Sequence, residues 1–340
     1  KMGHAVAHSA LMDLLHTIEG DGNGVGNNDG DGSNIDIGWK PSAEENGGVD
    51  EEEEEDEMKK RTKALFHELH EGTRTRTFST LSGCTFSMVY QYGDSILAAN
   101  VGDSQSFIAS YNKSSSPSAE HDEKDPNSNS NSNSDRVKIV YSTRKDKADL
   151  EHERQRIESM GGSIQLPRKM LFKGAEKMAT SRVVVPHKES GNTFSLAMSR
   201  SIGDQYAKEV GVTSEPIVDV MTIAKLKLRA MESPRDTRDK EPQLRGNQKK
   251  QQANNVESDN GDGDGDDIRL FAVSVSDGLF DHIAVEEIAQ HLAKAMYEHE
   301  SEGGSLFKAC EELIMRSSSE WKELGLTYRD DITIAVQRIL

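Results

Sequence analysis

Three acidic residues stand in one context: Asp103 follows LAANVG, Asp277 follows FAVSVS, and Asp330 directly precedes DITIAVQRI. Each lies where an apolar, β-type run meets a turn, the place at which a sheet presents a carboxylate at its rim. Phe271 to Asp281 shows the logic: Phe271, Val273 and Val275 alternate with small residues, Gly278 permits a sharp turn, and Leu279 and Phe280 return the chain to the core. Hard divalent cations such as Mg²⁺ and Mn²⁺ require several oxygen ligands, which carboxylates from separate strands can supply. Two such ions bridged by a water generate a nucleophile at neutral pH and neutralise phosphoryl charge. Each residue also has a structural reading: Asp103 as an Asx-turn, Asp277 as the cap of the next helix, Asp330 as a loop end. Spacing does not decide between them. The other acidic tracts do not form an EF-hand, because a frame from Asp21 has Val25 at its fifth position and Gly32 at its twelfth, and a frame from Asp262 has Asp267 where Gly is needed and Val273 where Glu is needed.

The elements that position these residues follow from periodicity. Ala7, Leu11, Leu14 and Ile18 predict a helix over 4–18, and Leu65, Phe66 and Leu69 a second from Lys59 to His70. Strands are expected at Ser82–Tyr90, Ser95–Val101, Gln105–Tyr111 and Val137–Ser142, then a helix from Leu150 to Met160 stopped by Gly161 and Gly162. Pro167 to Thr180 reads as basic and irregular, Arg182–Val185 and Thr193–Ala197 as short strands, and Ser199–Asp204 as a helical turn. Amphipathic helices at Val285–Met296 and Leu306–Leu324 and a strand at Ile332–Ile339 complete the chain. The predicted class is α+β: two largely antiparallel β-sheets forming a central sandwich flanked by helices, in α-β-β-α layers.

Composition sets the boundaries. Hydrophobic residues make up 34% of the 340 residues and the net charge is -18, which disfavours a nucleic-acid or anionic-membrane partner. Polar, low-complexity inserts at about 20–57, 113–135 and 229–267 account for much of this and leave roughly 240 residues, within the size of a single domain. Cys84 and Cys310 exclude a disulfide framework and fit a reducing, intracellular compartment, cytoplasmic or nuclear. Neither has a His or Asn in a motif beside it, so no side chain is identified as a direct nucleophile. No run is long and apolar enough to span a membrane. The first residue is Lys1, which suggests a missing beginning.

The ordered motifs SGCT (Ser82–Thr85), ANVGDSQ (Ala99–Gln105), ERQRIESMGG (Glu153–Gly162), LAMSRSIGD (Leu196–Asp204), GVTSEP (Gly211–Pro216), SVSDGLFD and RDDITIAV resemble the metal-dependent serine/threonine protein phosphatases, the PPM or type 2C group. The resemblance implies that Asp277 and Asp330 are carboxylates of a two-metal Mg²⁺ or Mn²⁺ centre, that Asp103 serves an additional, weaker site, and that Asp204 is structural. It further implies hydrolysis of phosphoserine or phosphothreonine in protein substrates by a metal-bridging water, without a covalent phosphoenzyme, in a monomer. The chain departs from the pattern in several places. The family's early Glu, its Asp-Gly-His-Gly and a phosphate-holding Arg are not present, and KMGHAVAHSALMDLL resembles the helix that follows the Gly-His-Gly turn. The expectation is an N-terminally incomplete domain, lacking its first strands, with weak or no activity and marginal stability. Gln105 stands where Arg is usual, and Thr143-Arg144-Lys145-Asp146 replaces a Thr-x-Asp-His pattern. Pro167 to Asn192 occupies the place of a flap over the substrate cleft, where Lys169, Lys173, Lys177 and Arg182 could contact an acidic phosphopeptide or be solvated loop charges. The alternative is a catalytically inactive phosphatase fold acting as a binding or regulatory module.

Overall fold

Ile268–Val275 is a strand whose alternate residues enter two different cores. Ile268, Leu270 and Ala272 face one apolar layer with Ile96, Ala98, Ile108 and Leu226, while Phe271, Val273 and Val275 face another with Ile288, Leu292 and Leu313. A strand buried on both faces belongs in the middle of a layered molecule.

The computed structural model describes residues 51–74, 82–113, 136–172, 175–186, 193–232, 268–298, 305–324 and 329–340. Its helices are α1 (Glu51–Arg74), α2 (Glu151–Ser159), α3 (Gln205–Lys208), α4 (Ile223–Met231), α5 (Asp277–Phe280), α6 (Val285–Ala293), continued by a π-helical turn at Lys294–Glu298, and α7 (Leu306–Glu323). Its strands are β1 (Gly83–Cys84), β2 (Phe86–Tyr92), β3 (Ser95–Val101), β4 (Gln105–Asn112), β5 (Val137–Ser142), β6 (Ser163–Gln165), β7 (Arg168–Phe172), β8 (Ala175–Ala179), β9 (Arg182–Pro186), β10 (Thr193–Leu196), β11 (Ile202–Gly203), β12 (Ile217–Thr222), β13 (Ile268–Val275) and β14 (Ile334–Ile339).

Two antiparallel sheets, β12-β3-β2 and β14-β13-β4-β5, face each other. Helix α1 lies on the outer face of the first, with Met58 and Phe66 against Leu97, Ala99 and Val101. Helices α6 and α7 lie on the outer face of the second, over Phe107, Ala109, Phe271 and Val273. This is the expected α-β-β-α sandwich. Between the sheets the packing is apolar at one end but turns to hydroxyls at the other, where Ser106 Oγ lies 2.7 Å from both Ser87 Oγ and Ser274 Oγ, and Thr85 Oγ1 lies 2.6 Å from Ser104 Oγ. Beside the sandwich, β10-β9-β6 builds a smaller lobe packed on α2 around Ile157, Val183 and Val185, with the separate hairpin β7-β8 lying between β6 and β9 in the chain.

Four local expectations change. The acidic run Glu51–Glu57 is not part of a structureless insert but the first turns of α1. Acidic side chains complement the helix N-terminus, and Glu55 and Glu57 pair with Lys59 and Arg61 one turn on. The start of the third insert is helical too, since Thr222 caps α4 by accepting from the Lys225 N–H at 3.2 Å and Leu226 is fully buried. Pro167–Thr180 contains the β7-β8 hairpin and is not irregular. Ser199–Asp204 is not a helical turn: Ile202 and Gly203 pair with Cys84 and Gly83, and helix begins only at Gln205. The predicted helix over 4–18, both Ca²⁺-loop frames' starting residues and most of each polar insert lie outside the described residues. No helix among the described residues is long and apolar enough to cross a membrane.

Candidate metal centre

Asp277 leaves the end of β13 as the first residue of α5, after Ser276. The N-cap of that helix is Ser276 and not Asp277, which sets the capping reading aside. Asp330 is brought beside it by a stitch between strand ends. Ser276 N–H donates to Thr333 O at 3.2 Å, Thr333 N–H donates to Ser276 Oγ at 2.9 Å, and Ser276 Oγ donates to Asp331 O at 2.7 Å. Gly278 makes the approach possible, because a Cβ there would lie 2.5 Å from Asp331 O. The Gly278 carbonyl in turn accepts from Ser317 Oγ at 2.6 Å and Trp321 Nε1 at 2.9 Å, so α7 anchors the turn from below.

Asp103 arrives from the other side of the sheet. It follows Gly102, whose φ of 106° only glycine adopts readily and whose Cβ would strike Thr85. That corner is held by Asp146: its N–H donates to Gly102 O at 2.9 Å, and its Oδ2 accepts from the Gly102 N–H at 3.0 Å. Asn100 Nδ2 donates to Gly102 O and to Arg144 O, both at 2.9 Å.

Asp277 is half-buried, and burial, followed by the negative charges of Asp103, Asp330 and Asp281, pushes its carboxyl up to about 7. The structure therefore brings the three predicted carboxylates into one electrostatic neighbourhood and adds Asp281, at the exposed rim. It also adds two cations. Lys147 Nζ lies 2.6 Å from the buried Asp103 Oδ2, and Lys145 Nζ lies 3.5 Å from the centroid of the Phe280 ring. Burial lowers the Lys145 pKa, and the Asp281 charge opposes that shift.

Oxygen donors whose negative charge is only partly offset by Lys147 and Lys145 fit a hard divalent cation. Among the described residues, no group of three or more His, Cys, Asp or Glu side chains forms a ready-made cage, so the fit is one of donor chemistry and charge.

Behind the centre lies a network that sequence reasoning missed. Glu153 is fully buried and accepts from Arg200 Nη2 at 2.6 Å, Arg156 Nη2 at 2.6 Å, Ser199 Oγ at 2.6 Å and Arg144 Nη2 at 2.9 Å. Burial raises its pKa, but the bonds from Arg200, Arg156 and Ser199 outweigh burial and hold it at about 2. Arg144 Nη2 also donates to Asp146 Oδ1 at 2.7 Å, which links the network to the Gly102-Asp103 corner. Asp204 is buried in left-handed backbone at φ 46° and packed directly on Gly83. Of the basic residues in the smaller lobe, Arg182 spends its guanidinium on Ser195, through Oγ at 2.8 Å and the carbonyl at 3.0 Å. Lys169 is exposed, Lys173 lies outside the described residues, and of Lys177 only the backbone is described.

Comparison with known proteins gives three results. A family model described as Protein phosphatase 2C matches residues 31–227. The chain is 31% identical over 137 residues to "Probable protein phosphatase 2C 48" of Oryza sativa subsp. japonica, covering 40% of this chain and 31% of that protein. It thus spans about a third of the length of that curated relative. Among solved structures, the serine-threonine phosphatase 2C from Toxoplasma gondii superposes with a TM-score of 0.51 at 15% identity, over 86% of this chain and 72% of that one, a likeness of fold.

Proposed function

Because the chain belongs to the protein phosphatase 2C family, we propose that its carboxylate cluster is a divalent-metal centre for hydrolysis of phosphoserine or phosphothreonine in proteins. The observation that carries this reading is the meeting of Asp277 and Asp330 at adjacent strand ends, with Asp103 in the same field. Proteins of this family are generally dependent on Mg²⁺ or Mn²⁺. Asp277, Asp330 and Asp103 would hold the cation. When bound, such a cation supplies Lewis acidity toward phosphoryl oxygens and lowers the pKa of a water.

The chain's own residues prepare the site. The Ser276 stitch and the Gly278 turn hold the Asp330–Asp331 segment beside Asp277, and the Glu153–Arg200 network reaches the Asp103 corner through Arg144 and Asp146. Asp277 carries a proton below about pH 7 and becomes available to a cation above it, so cation uptake releases a proton near neutrality. The domain boundaries extend, in this reading, over the whole chain as one phosphatase domain interrupted by polar inserts.

The test is phosphate release from a phosphothreonine peptide with and without Mn²⁺. Mn²⁺-dependent release that Asp277→Asn abolishes supports the reading. Mn²⁺ binding with no release from any phosphopeptide favours a binding module built on the same fold.

A further inference from the structure

The segment that locks the Asp103 corner also delivers two ammonium groups to the carboxylates. Asp146 is fully buried and doubly bonded to Gly102, so the residues flanking it are held in place. Lys147 reaches the buried Asp103 at 2.6 Å, and its side chain is only 27% exposed. Lys145 rests on the Phe280 ring at 3.5 Å, with Asp281, Asp103 and Asp277 as its charged neighbours. Neither lysine belongs to the Glu153–Arg200 network; Lys147 is the salt-bridge partner of Asp103 among the described residues, and Lys145 is a further cation in its field.

We propose that Lys147, supported by Lys145, is a tethered counter-ion. It satisfies Asp103 where a further divalent cation would otherwise bind, and so sets how many cations the centre takes and how tightly. This rests on the metal-centre reading above. A cation entering at Asp103 must first displace an ammonium group held by the same chain, and a tethered competitor acts at high effective concentration. Replacing the ammonium by a neutral group of similar size leaves a buried carboxylate uncompensated, which favours an external cation in its place.

Mn²⁺ titration of the full chain by isothermal calorimetry, with free Mn²⁺ read in parallel by electron paramagnetic resonance, tests this. Lys147→Met is expected to tighten Mn²⁺ binding at least about tenfold, or to add one bound ion. Lys147→Arg, which keeps the charge, is expected to behave as wild type. Lys145→Met should tighten binding by less. Adding Asp103→Asn to Lys147→Met should return binding to the wild-type level. If Lys147→Met fails to fold, Lys147→Gln keeps a donor to Asp103 without the charge and gives the same reading. Unchanged affinity and stoichiometry in the neutral variants, while Asp277→Asn still weakens binding, would overturn the counter-ion role and leave the metal centre standing. No Mn²⁺ bound by any of the proteins would overturn both.

Discussion

Gly278→Ala puts the geometry of the centre to its hardest test. The added Cβ would lie 2.5 Å from Asp331 O, 3.0 Å from Asp331 C and 3.3 Å from Ile332 Cγ1. The first two contacts are backbone, so no side-chain rotation relieves them, and the segment leading into β14 must retreat by roughly 1 Å. Gly278 itself cannot give way, because its carbonyl is held by Ser317 and Trp321 of α7. Overpacking of this kind costs about 1–3 kcal/mol, and the retreat carries Asp330 away from Asp277. A misplacement of about 1 Å at a reacting centre lowers turnover on the order of 100-fold. Urea unfolding should show a lower midpoint at unchanged slope, and Mn²⁺ titration of the same variant should show weakened binding. A Gly278→Ala protein with wild-type stability and wild-type Mn²⁺ affinity would refute the claim that this glycine sets the Asp277–Asp330 approach.

Other consequences are open to direct measurement. Asp277 has a folded pKa of about 7 against an ordinary 3.8, so the metal-free protein loses stability as pH rises through that interval; Asp277→Asn should be more stable at pH 8 by on the order of 2–4 kcal/mol without Mn²⁺, an ordering that saturating Mn²⁺ should reverse. Glu153 is depressed from 4.5 to about 2, so its contribution is present above pH 4.5 and lost as pH falls toward 2; it amounts to on the order of 3 kcal/mol, and Glu153→Gln should remove that acid-limb loss in a pH series of urea unfolding curves. His70 is buried, its Nδ1 accepting the Gly203 N–H at 3.2 Å, and burial followed by the Lys208 charge lowers its pKa from 6.5 to about 4. Its contribution is therefore present above 6.5 and lost as pH falls toward 4, which an NMR titration of the imidazole would show as a midpoint well below that of a solvated histidine. Leu292→Ala, on the buried face of α6, should cost about 2–5 kcal/mol in the same unfolding assay without altering Mn²⁺ affinity.

The strands that form the sandwich were legible because each obeys a two-residue period against an apolar layer, as Ile268–Val275 does against two. The placement of Asp277 and Asp330 beside one another was legible for a related reason: both sit at the ends of such runs, and β13 and β14 pair directly. Lys147 and Asp281 were not, since nothing local marks a lysine that will meet a carboxylate 44 residues away. The Glu153–Arg200 contact, 47 residues apart, is hidden for the same reason. Residues 51–57 were misread because composition was weighed without the pairing that a helix provides, in which a glutamate finds a base one turn later. The strand at Ile202–Gly203 exists only through its partner at Gly83–Cys84, and a two-residue pairing leaves no periodic trace.

The hydroxyl seam beneath the centre has a mechanical meaning. Ser87 and Ser106 join the two sheets by a bond with a preferred length and angle, and Ser106 is tied in turn to Ser274 on the neighbouring strand, close to the strand ends that carry the carboxylates. At the opposite end, Ile96, Leu226 and Ile268 meet through contacts that have neither. The sandwich is thus pinned by hydroxyl bonding at one end and close-packed by shape at the other. The spacing of the sheets is therefore fixed by a directional bond at the end that carries the carboxylates, and by apolar side-chain volume at the end covered by α4.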